Sequence, residues 1–207
     1  MLLVINESEQ PEALVFWLHG LGADCHDFVP VINSLDLKNF EFILPNAPIR
    51  PITLNGGMLM RGWYDIESLN IETHDTVGLE FSKSILEDII KKKINSKKSC
   101  PKIFIVGFSQ GAALALYLSE FSHYNFSGVI ALSGYLPMYN KKKYDRSSLY
   151  AIHGTHDDVI NIALAKKSYS ELIDNGSLKY FEFSMAHEVI EKEIFLIKDI
   201  LMSECVS

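Results

Sequence analysis

The stretch Lys102-Ile103-Phe104-Ile105-Val106-Gly107-Phe108-Ser109-Gln110-Gly111-Ala112-Ala113-Leu114-Ala115-Leu116 decides the fold. It starts as a short, apolar, β-branched run, the pattern of a buried strand. It ends in alanines and leucines at helical spacing, residues of high helix propensity. Between the two lies Gly107-Phe108-Ser109-Gln110-Gly111, a G-x-S-x-G sequence. In that setting the pattern predicts a sharp strand-to-helix turn that exposes the Ser109 hydroxyl at the edge of a sheet. The two glycines belong where side chains would collide with the neighbouring strand and helix. A helix N-terminus under the serine favours negative charge developing on an attacked carbonyl oxygen.

On both sides of this stretch apolar strands alternate with amphipathic helices. Ala13 to Leu18 reads as a buried strand that runs into His19-Gly20-Leu21-Gly22-Ala23-Asp24. Phe28 to Leu37 reads as a helix, and Phe40 to Leu44 as a strand stopped by Pro45 and Pro48. Thr76 to Ile94 has Val77, Phe81, Ile85, Ile89 and Ile94 near one helical stripe. Gly128 to Leu132, Leu149 to Ile152 and Leu178 to Phe183 are further strands. Ile162 to Ile173 and Val189 to Leu201 are helices, the latter with Ile190, Ile194, Ile197 and Leu201 on one face. This order predicts an α/β fold over residues 1–207: one domain, a mostly parallel central sheet, helices on both faces and no large lid domain. Chemistry in such sheets lies beyond the C-terminal ends of the strands, where every Gly-, His- and Asp-rich cluster of this chain falls.

The 207 residues carry a formal net charge of −7, which disfavours electrostatic binding of nucleic acid. The lysine runs Lys91-Lys92-Lys93, Lys97-Lys98 and Lys141-Lys142-Lys143 read as solvated helix ends and loops. Cys25, Cys100 and Cys205 are far apart and odd in number, so they form neither a disulfide framework nor a metal-ligand spacing. That usage fits a reducing compartment. Met1 to Gln10 lacks the basic region and apolar core of a secretory signal. No apolar run reaches the length of a bilayer span. A cytoplasmic location is the expectation.

A serine hydroxyl is a poor nucleophile until a base takes its proton, and a carboxylate commonly orients that base. On a sheet of this kind the chain order is serine, then acid, then histidine. Asp157 and Asp158 directly follow a strand and are the best acids; spacing does not choose between them. Of the seven histidines only His187 follows them, between the last strand and the last helix. His153 and His156 precede the acid and read as loop-packing residues. An oxyanion hole needs two amide donors: one from Gln110, after the nucleophile, and one from an early strand-to-helix loop, for which His19 to Gly22 is the glycine-rich candidate. Pro48 to Asn70 reads as a long irregular segment, with Leu54, Met58, Leu59, Met60 and Trp63 available either to line a pocket or to cap the core.

Five motifs in order carry a family likeness from about Val15 to the last helix. They are His19-Gly20-Leu21-Gly22, the segment Asn55-Gly56-Gly57-Met58 through Trp63-Tyr64-Asp65-Ile66, Gly107-Phe108-Ser109-Gln110-Gly111, His153-Gly154-x-x-Asp157, and Met185-Ala186-His187-Glu188. On these the chain resembles the acyl-protein thioesterase, carboxylesterase and lysophospholipase family of small α/β-hydrolases, the second motif looking especially like the bacterial carboxylesterase branch. The resemblance implies that Asp157 rather than Asp158 is the triad acid, and that the Leu21 amide joins that of Gln110 in the oxyanion hole. It also implies that Trp63 and its neighbours border the acyl site. Two positions depart from the family pattern: Ala112 stands where a glycine is common, and Cys25 puts a thiol near the oxyanion loop.

The function expected is that of a serine hydrolase cleaving esters or thioesters of short to medium acyl chains, with Ser109, His187 and Asp157 as triad and no metal or organic cofactor. Small acyl esters or S-acylated proteins are the expected substrates, with room for transient contact with a membrane surface and for a homodimer. A lysophospholipase at membrane surfaces is the rival within the same chemistry, and the acidic charge weighs mildly against it. A non-catalytic binding protein on the same fold is the rival of another class; it would show a lost triad member, and none is missing.

Overall fold

The structure is a computed structural model that describes residues 1–68, 74–137 and 147–206. Its centre is a seven-stranded sheet of order β1-β3-β2-β6-β7-β8-β9. The strands are β1 (Leu2–Ile5), β2 (Ala13–Leu18), β3 (Phe40–Pro45), β6 (Lys102–Phe108), β7 (Gly128–Leu132), β8 (Ser148–Gly154) and β9 (Leu178–Phe183). All neighbours are parallel except β1, which runs antiparallel along the edge of β3. The inner strands are apolar without alternation because both faces are covered: every residue of β2, β3 and β7 is buried. On one face Leu14, Phe16 and Leu18 pack with helices α2 (Thr76–Asn95), α3 (Gln110–Phe121) and α4 (Ile162–Asp174). On the other, Val15, Trp17 and Val106 pack with α1 (Val29–Leu35) and α5 (Glu191–Val206).

Two expectations need correcting. The segment Pro48 to Asn70 is not irregular throughout: β4 (Ile49–Ile52) and β5 (Met58–Arg61) pair antiparallel as a separate hairpin. The reversal runs through a 3₁₀ turn at Thr53–Asn55 and then Gly56 and Gly57, whose φ values of 65° and 79° suit glycine. The hairpin is hidden in the sequence because Pro51 and the short strands carry little periodic signal. The last two positions of the segment, Leu69 and Asn70, lie outside the described residues, as does the lysine run Lys141-Lys142-Lys143. The second correction concerns α2. Its sheet-facing stripe is Gly78, Leu79, Ser82, Leu86 and Ile90, whereas Val77 is 78% and Phe81 53% exposed. Ser82 is buried because its hydroxyl donates to the Trp63 carbonyl, a polar contact that no hydrophobic pattern announces.

The N-terminal segment is tied to the sheet by charge. Glu41 in β3 is fully buried and accepts from Lys97 Nζ at 2.5 Å, Lys93 Nζ at 3.0 Å and the Ser8 amide at 3.0 Å. Two lysines and an amide surround both oxygens, the arrangement that keeps a buried carboxylate satisfied and its proton affinity low despite burial.

Glu193, in the first turn of α5, is the opposite case. It lies on the buried stripe with Ile197, Ile200 and Leu201, and neither carboxyl oxygen has a hydrogen-bond partner among the described residues. Burial pushes its carboxyl up to about 8. The unfolded chain releases this proton near 4.5 and the folded chain holds it until about 8. Stability from this residue is therefore complete below the lower value and falls as pH rises through that window, by on the order of a few kcal/mol. Glu193→Gln should leave the thermal midpoint nearly unchanged at pH 5 and raise it clearly at pH 8. Midpoints that differ by the same amount at both pH values would contradict a protonated Glu193.

Candidate active site

The elbow forms where β6 turns into α3. Ser109 has φ 56° and ψ −116°, a conformation costly for a residue with a side chain. Its amide donates to the Leu132 carbonyl at 2.9 Å, and its carbonyl accepts from Ala112 N at 3.0 Å, which hold the turn. Both flanking glycines are compulsory. A Cβ on Gly107 would stand 2.2 Å from the Gly111 carbonyl oxygen, and one on Gly111 would stand 2.3 Å from that of Leu18. The Ala112 methyl, one of the two departures from the family pattern, is received by Gly134, where a Cβ would come within 2.5 Å of it.

Asp157 follows β8 and its side chain is fully buried. Oδ1 accepts the amides of Val159 at 2.9 Å and Ile160 at 2.8 Å, which fix the carboxylate. Oδ2 lies 2.8 Å from His187 Nδ1. A carboxylate only accepts, so His187 donates from Nδ1 and keeps its Nε2 lone pair for a proton. Asp158 is exposed, lines the cavity instead and makes no such contact. The loops bearing acid and base can approach because residue 154 is glycine: a Cβ there would lie 2.4 Å from the Met185 carbonyl and 2.5 Å from that of Ala186. Phe108, next to the serine, sets its ring 4.8 Å from the His187 ring, tilted by 48°.

The loop after β2 is pinned from three sides. His19 is buried; it donates from Nδ1 to the Gly20 carbonyl at 2.7 Å and accepts the Ala47 amide on Nε2 at 3.0 Å. Burial lowers its basicity, which suits this neutral, two-sided role. The His19 carbonyl accepts from Trp63 Nε1 at 2.8 Å, and Gly22 N donates to the Arg61 carbonyl at 2.8 Å. The amides of Leu21 and Gln110 have no acceptor among the described residues, and both residues line the cavity that holds Ser109 and His187. Cys25 is buried behind the loop with its amide on Asn46 Oδ1 at 2.7 Å. Burial, and then Asp24, pushes its thiol up, which makes it a slow nucleophile.

The cavity measures about 580 Å³. Its walls include Phe28, Leu54, Ile66, Tyr135, Ile160 and Leu164; of these only Leu54 stands out in the sequence as a candidate for the role. The Pro48–Asn70 segment does reach the cavity, through Leu54, Ile66 and Ser68. Met58, Leu59, Met60 and Trp63 are not brought to the wall. Met58 and Leu59 are 63% and 68% exposed on the hairpin, and Met60 lies on the same strand. Trp63 is fully buried in the core, its ring 5.2 Å from that of His19. Its amide donates to Gln110 Oε1 at 2.9 Å, while Gln110 Nε2 donates to the Tyr64 carbonyl at 2.7 Å. Gln110 thus has a second task, clamping this segment against the elbow with its side chain.

Known proteins resemble this chain in sequence and in fold. The profile of the phospholipase/carboxylesterase family matches residues 1–203. Acyl-protein thioesterase 1 homolog 1 of Dictyostelium discoideum is 39% identical over 174 residues, 79% of this chain and 77% of that protein. Acyl-protein thioesterase 1 of Neurospora crassa is 32% identical over 223 aligned positions, 96% of this chain and 89% of that one. Among solved structures, Zea mays acyl-protein thioesterase 2 matches with a TM-score of 0.86 at 24% identity over 99% of each chain. The Bacillus cereus carboxylesterase matches with a TM-score of 0.78 at 17% identity, covering 98% of this chain and 93% of that one. The two structures bear on the fold, which is that of an α/β-hydrolase. The family match and the two sequence relatives carry the assignment further: the chain belongs to the phospholipase/carboxylesterase family and is a serine hydrolase of esters or thioesters.

Proposed function

We propose that this chain cleaves thioesters or esters of short to medium acyl chains through an acyl-enzyme on Ser109, with His187 as base and Asp157 as its orienting acid. The observation that carries this reading is the 2.8 Å contact of His187 Nδ1 with Asp157 Oδ2 at the cavity that Ser109 lines. Ser109 Oγ attacks the acyl carbonyl while its proton passes to His187 Nε2. The carbonyl oxygen becomes an oxyanion held by the Leu21 amide of the loop after β2 and the Gln110 amide at the N-terminus of α3. His187 returns the proton to the leaving thiol or alcohol, and a water molecule then repeats the sequence to free the acid and Ser109. Protein S-acyl groups are the donor we favour, since the two sequence relatives are named acyl-protein thioesterases. Three free cysteines fit work in a reducing compartment such as the cytoplasm.

A fluorophosphonate probe should add to Ser109 and to no other residue, read by intact mass and peptide mapping. Ser109→Ala should lower kcat by roughly a million-fold. Asp157→Asn should lower it by on the order of 10⁴, with Asp158→Asn close to wild type. An intact probe adduct on the Ser109→Ala protein, or a crippled Asp158→Asn, would defeat these assignments.

The acyl tail belongs between Leu54, Ile66, Ile160 and Leu164. Each buried methylene contributes ~0.8 kcal/mol, about fourfold in kcat/KM, until the cavity is full. Leu164→Trp should therefore move the optimum in a C2 to C16 p-nitrophenyl ester series to shorter chains while the probe still labels Ser109 at the wild-type rate. A profile of unchanged shape would put the acyl wall elsewhere.

A further inference from the structure

His153 is the last histidine before the acid's loop and stands in β8, one residue before its end. It is fully buried, and its Nε2 lies 2.8 Å from the Ile160 carbonyl oxygen and 3.3 Å from Asp157 Oδ2. Both neighbours of Nε2 are acceptors, so this nitrogen carries the proton; it donates to the Ile160 carbonyl and lies close to Asp157 Oδ2. The other ring nitrogen, Nδ1, is buried and has no partner among the described residues. A ring in this position gains nothing from a second proton on Nδ1. Burial accordingly lowers its basicity below the ordinary imidazole range. His153 therefore presents an uncharged N–H to the same carboxylate oxygen that faces His187.

We propose that His153 is a positioning residue for the triad acid: it holds the Asp157–Ile160 turn through the Ile160 carbonyl and sets its Nε2–H beside Asp157 Oδ2, which limits the negative charge felt by His187. The proposal rests on the triad reading above. Asp157 accepts three hydrogen bonds, two amides on Oδ1 and His187 on Oδ2, and His153 Nε2 stands 3.3 Å from Oδ2. The same donor also holds the Ile160 carbonyl, and Ile160 is both a donor to Oδ1 and part of the cavity wall. Acid, base and acyl wall are thereby locked to one side chain. Neutrality matters as much as position. A cation at residue 153 would repel the imidazolium that forms on His187, whereas a neutral donor leaves that charge the attraction of Asp157.

Removing the donor should have two separable effects. The carboxylate gains freedom, so His187 is aimed less well and kcat falls. The carboxylate also loses a partner that drew on its charge, so it stabilises the His187 imidazolium more strongly and the base protonates at higher pH. The other charged groups near this pair are Glu182, opposite His153 on β9, and Lys166 of α4, which neutralises Glu182 at 2.5 Å. Asp158, His156 and Glu188 lie in the same two loops and are exposed. None of them changes in the variants below.

The experiment is kcat/KM against pH for p-nitrophenyl butyrate with wild type, His153→Phe and His153→Gln, each normalised to the fraction of Ser109 titrated by fluorophosphonate. His153→Phe should lose about tenfold in kcat/KM at neutral pH and move the acid limb of its profile to higher pH. His153→Gln, whose amide nitrogen can donate in place of Nε2, should recover most of both. A limb that stays in place in His153→Phe while only the thermal midpoint falls would overturn the proposal and leave His153 as packing. Failure of His153→Gln to recover either quantity, in a folded protein, would overturn it equally. The triad reading fails on a different result, a wild-type protein that neither hydrolyses the ester nor takes up the probe.

Discussion

One steric constraint organises this molecule: the backbone of α3's first turn lies against the end of β2. A Cβ on Gly111 would sit 2.3 Å from the Leu18 carbonyl oxygen and 2.6 Å from that of His19. No side chain fits, and the contact is made by backbone alone. It places the residue after the serine beside the loop that follows β2, so Gln110 and Leu21 line one cavity. The strained Ser109 backbone is the other side of the same constraint. Its φ of 56° is sustained because the turn is held by the Leu132 carbonyl on one side and by the first helical bonds on the other. Everything else in the site is brought to this point by strands that end at the same edge.

A second layer fixes that point from behind. The side chains of Gln110 and Trp63 tie three segments together. Gln110 holds the Trp63 amide and the Tyr64 carbonyl, and the Trp63 indole holds the His19 carbonyl. Ser82 of α2 adds a donor to the Trp63 carbonyl. The elbow, the loop after β2 and the segment after the hairpin are therefore tied together by hydrogen bonds. This explains why a large aromatic residue beside the active site is buried rather than offered to substrate: its polar atoms are already committed on three sides.

Legibility in the sequence follows from the kind of force involved. The sheet is readable because buried parallel strands must be apolar throughout, as Ala13–Leu18 and Gly128–Leu132 are. The triad candidates are readable because chain order on this fold leaves His187 alone after the acids. The α2 stripe misleads because Gly78 and Ser82 face the core for steric and hydrogen-bonding reasons, while Val77 and Phe81 are apolar and exposed. Trp63 is ambiguous for the same reason: hydrophobicity says that it is buried, not against what. Most of the cavity wall leaves no trace in the pattern. Phe28, Ile66, Tyr135 and Leu164 come from separate elements and meet only in space, without period or spacing.

The charges of the proposed reaction show why two further histidines are buried near this edge. Attack by Ser109 creates one anion and one cation at once. The anion forms at the Leu21 and Gln110 amides, over the positive end of α3. The cation forms on His187, beside Asp157 Oδ2 and next to the Phe108 ring at 4.8 Å. Each charge thus appears beside a partner already in place, so little reorganisation is required. That economy holds only if no second cation competes for Asp157 or for the oxyanion. His19 and His153 are two groups that could supply one, and burial lowers the basicity of both. Their hydrogen bonds define the tautomers, Nδ1–H in His19 and Nε2–H in His153. Both rings are therefore fixed dipoles that hold loops in position, and His187 is left as the imidazole free to take the proton.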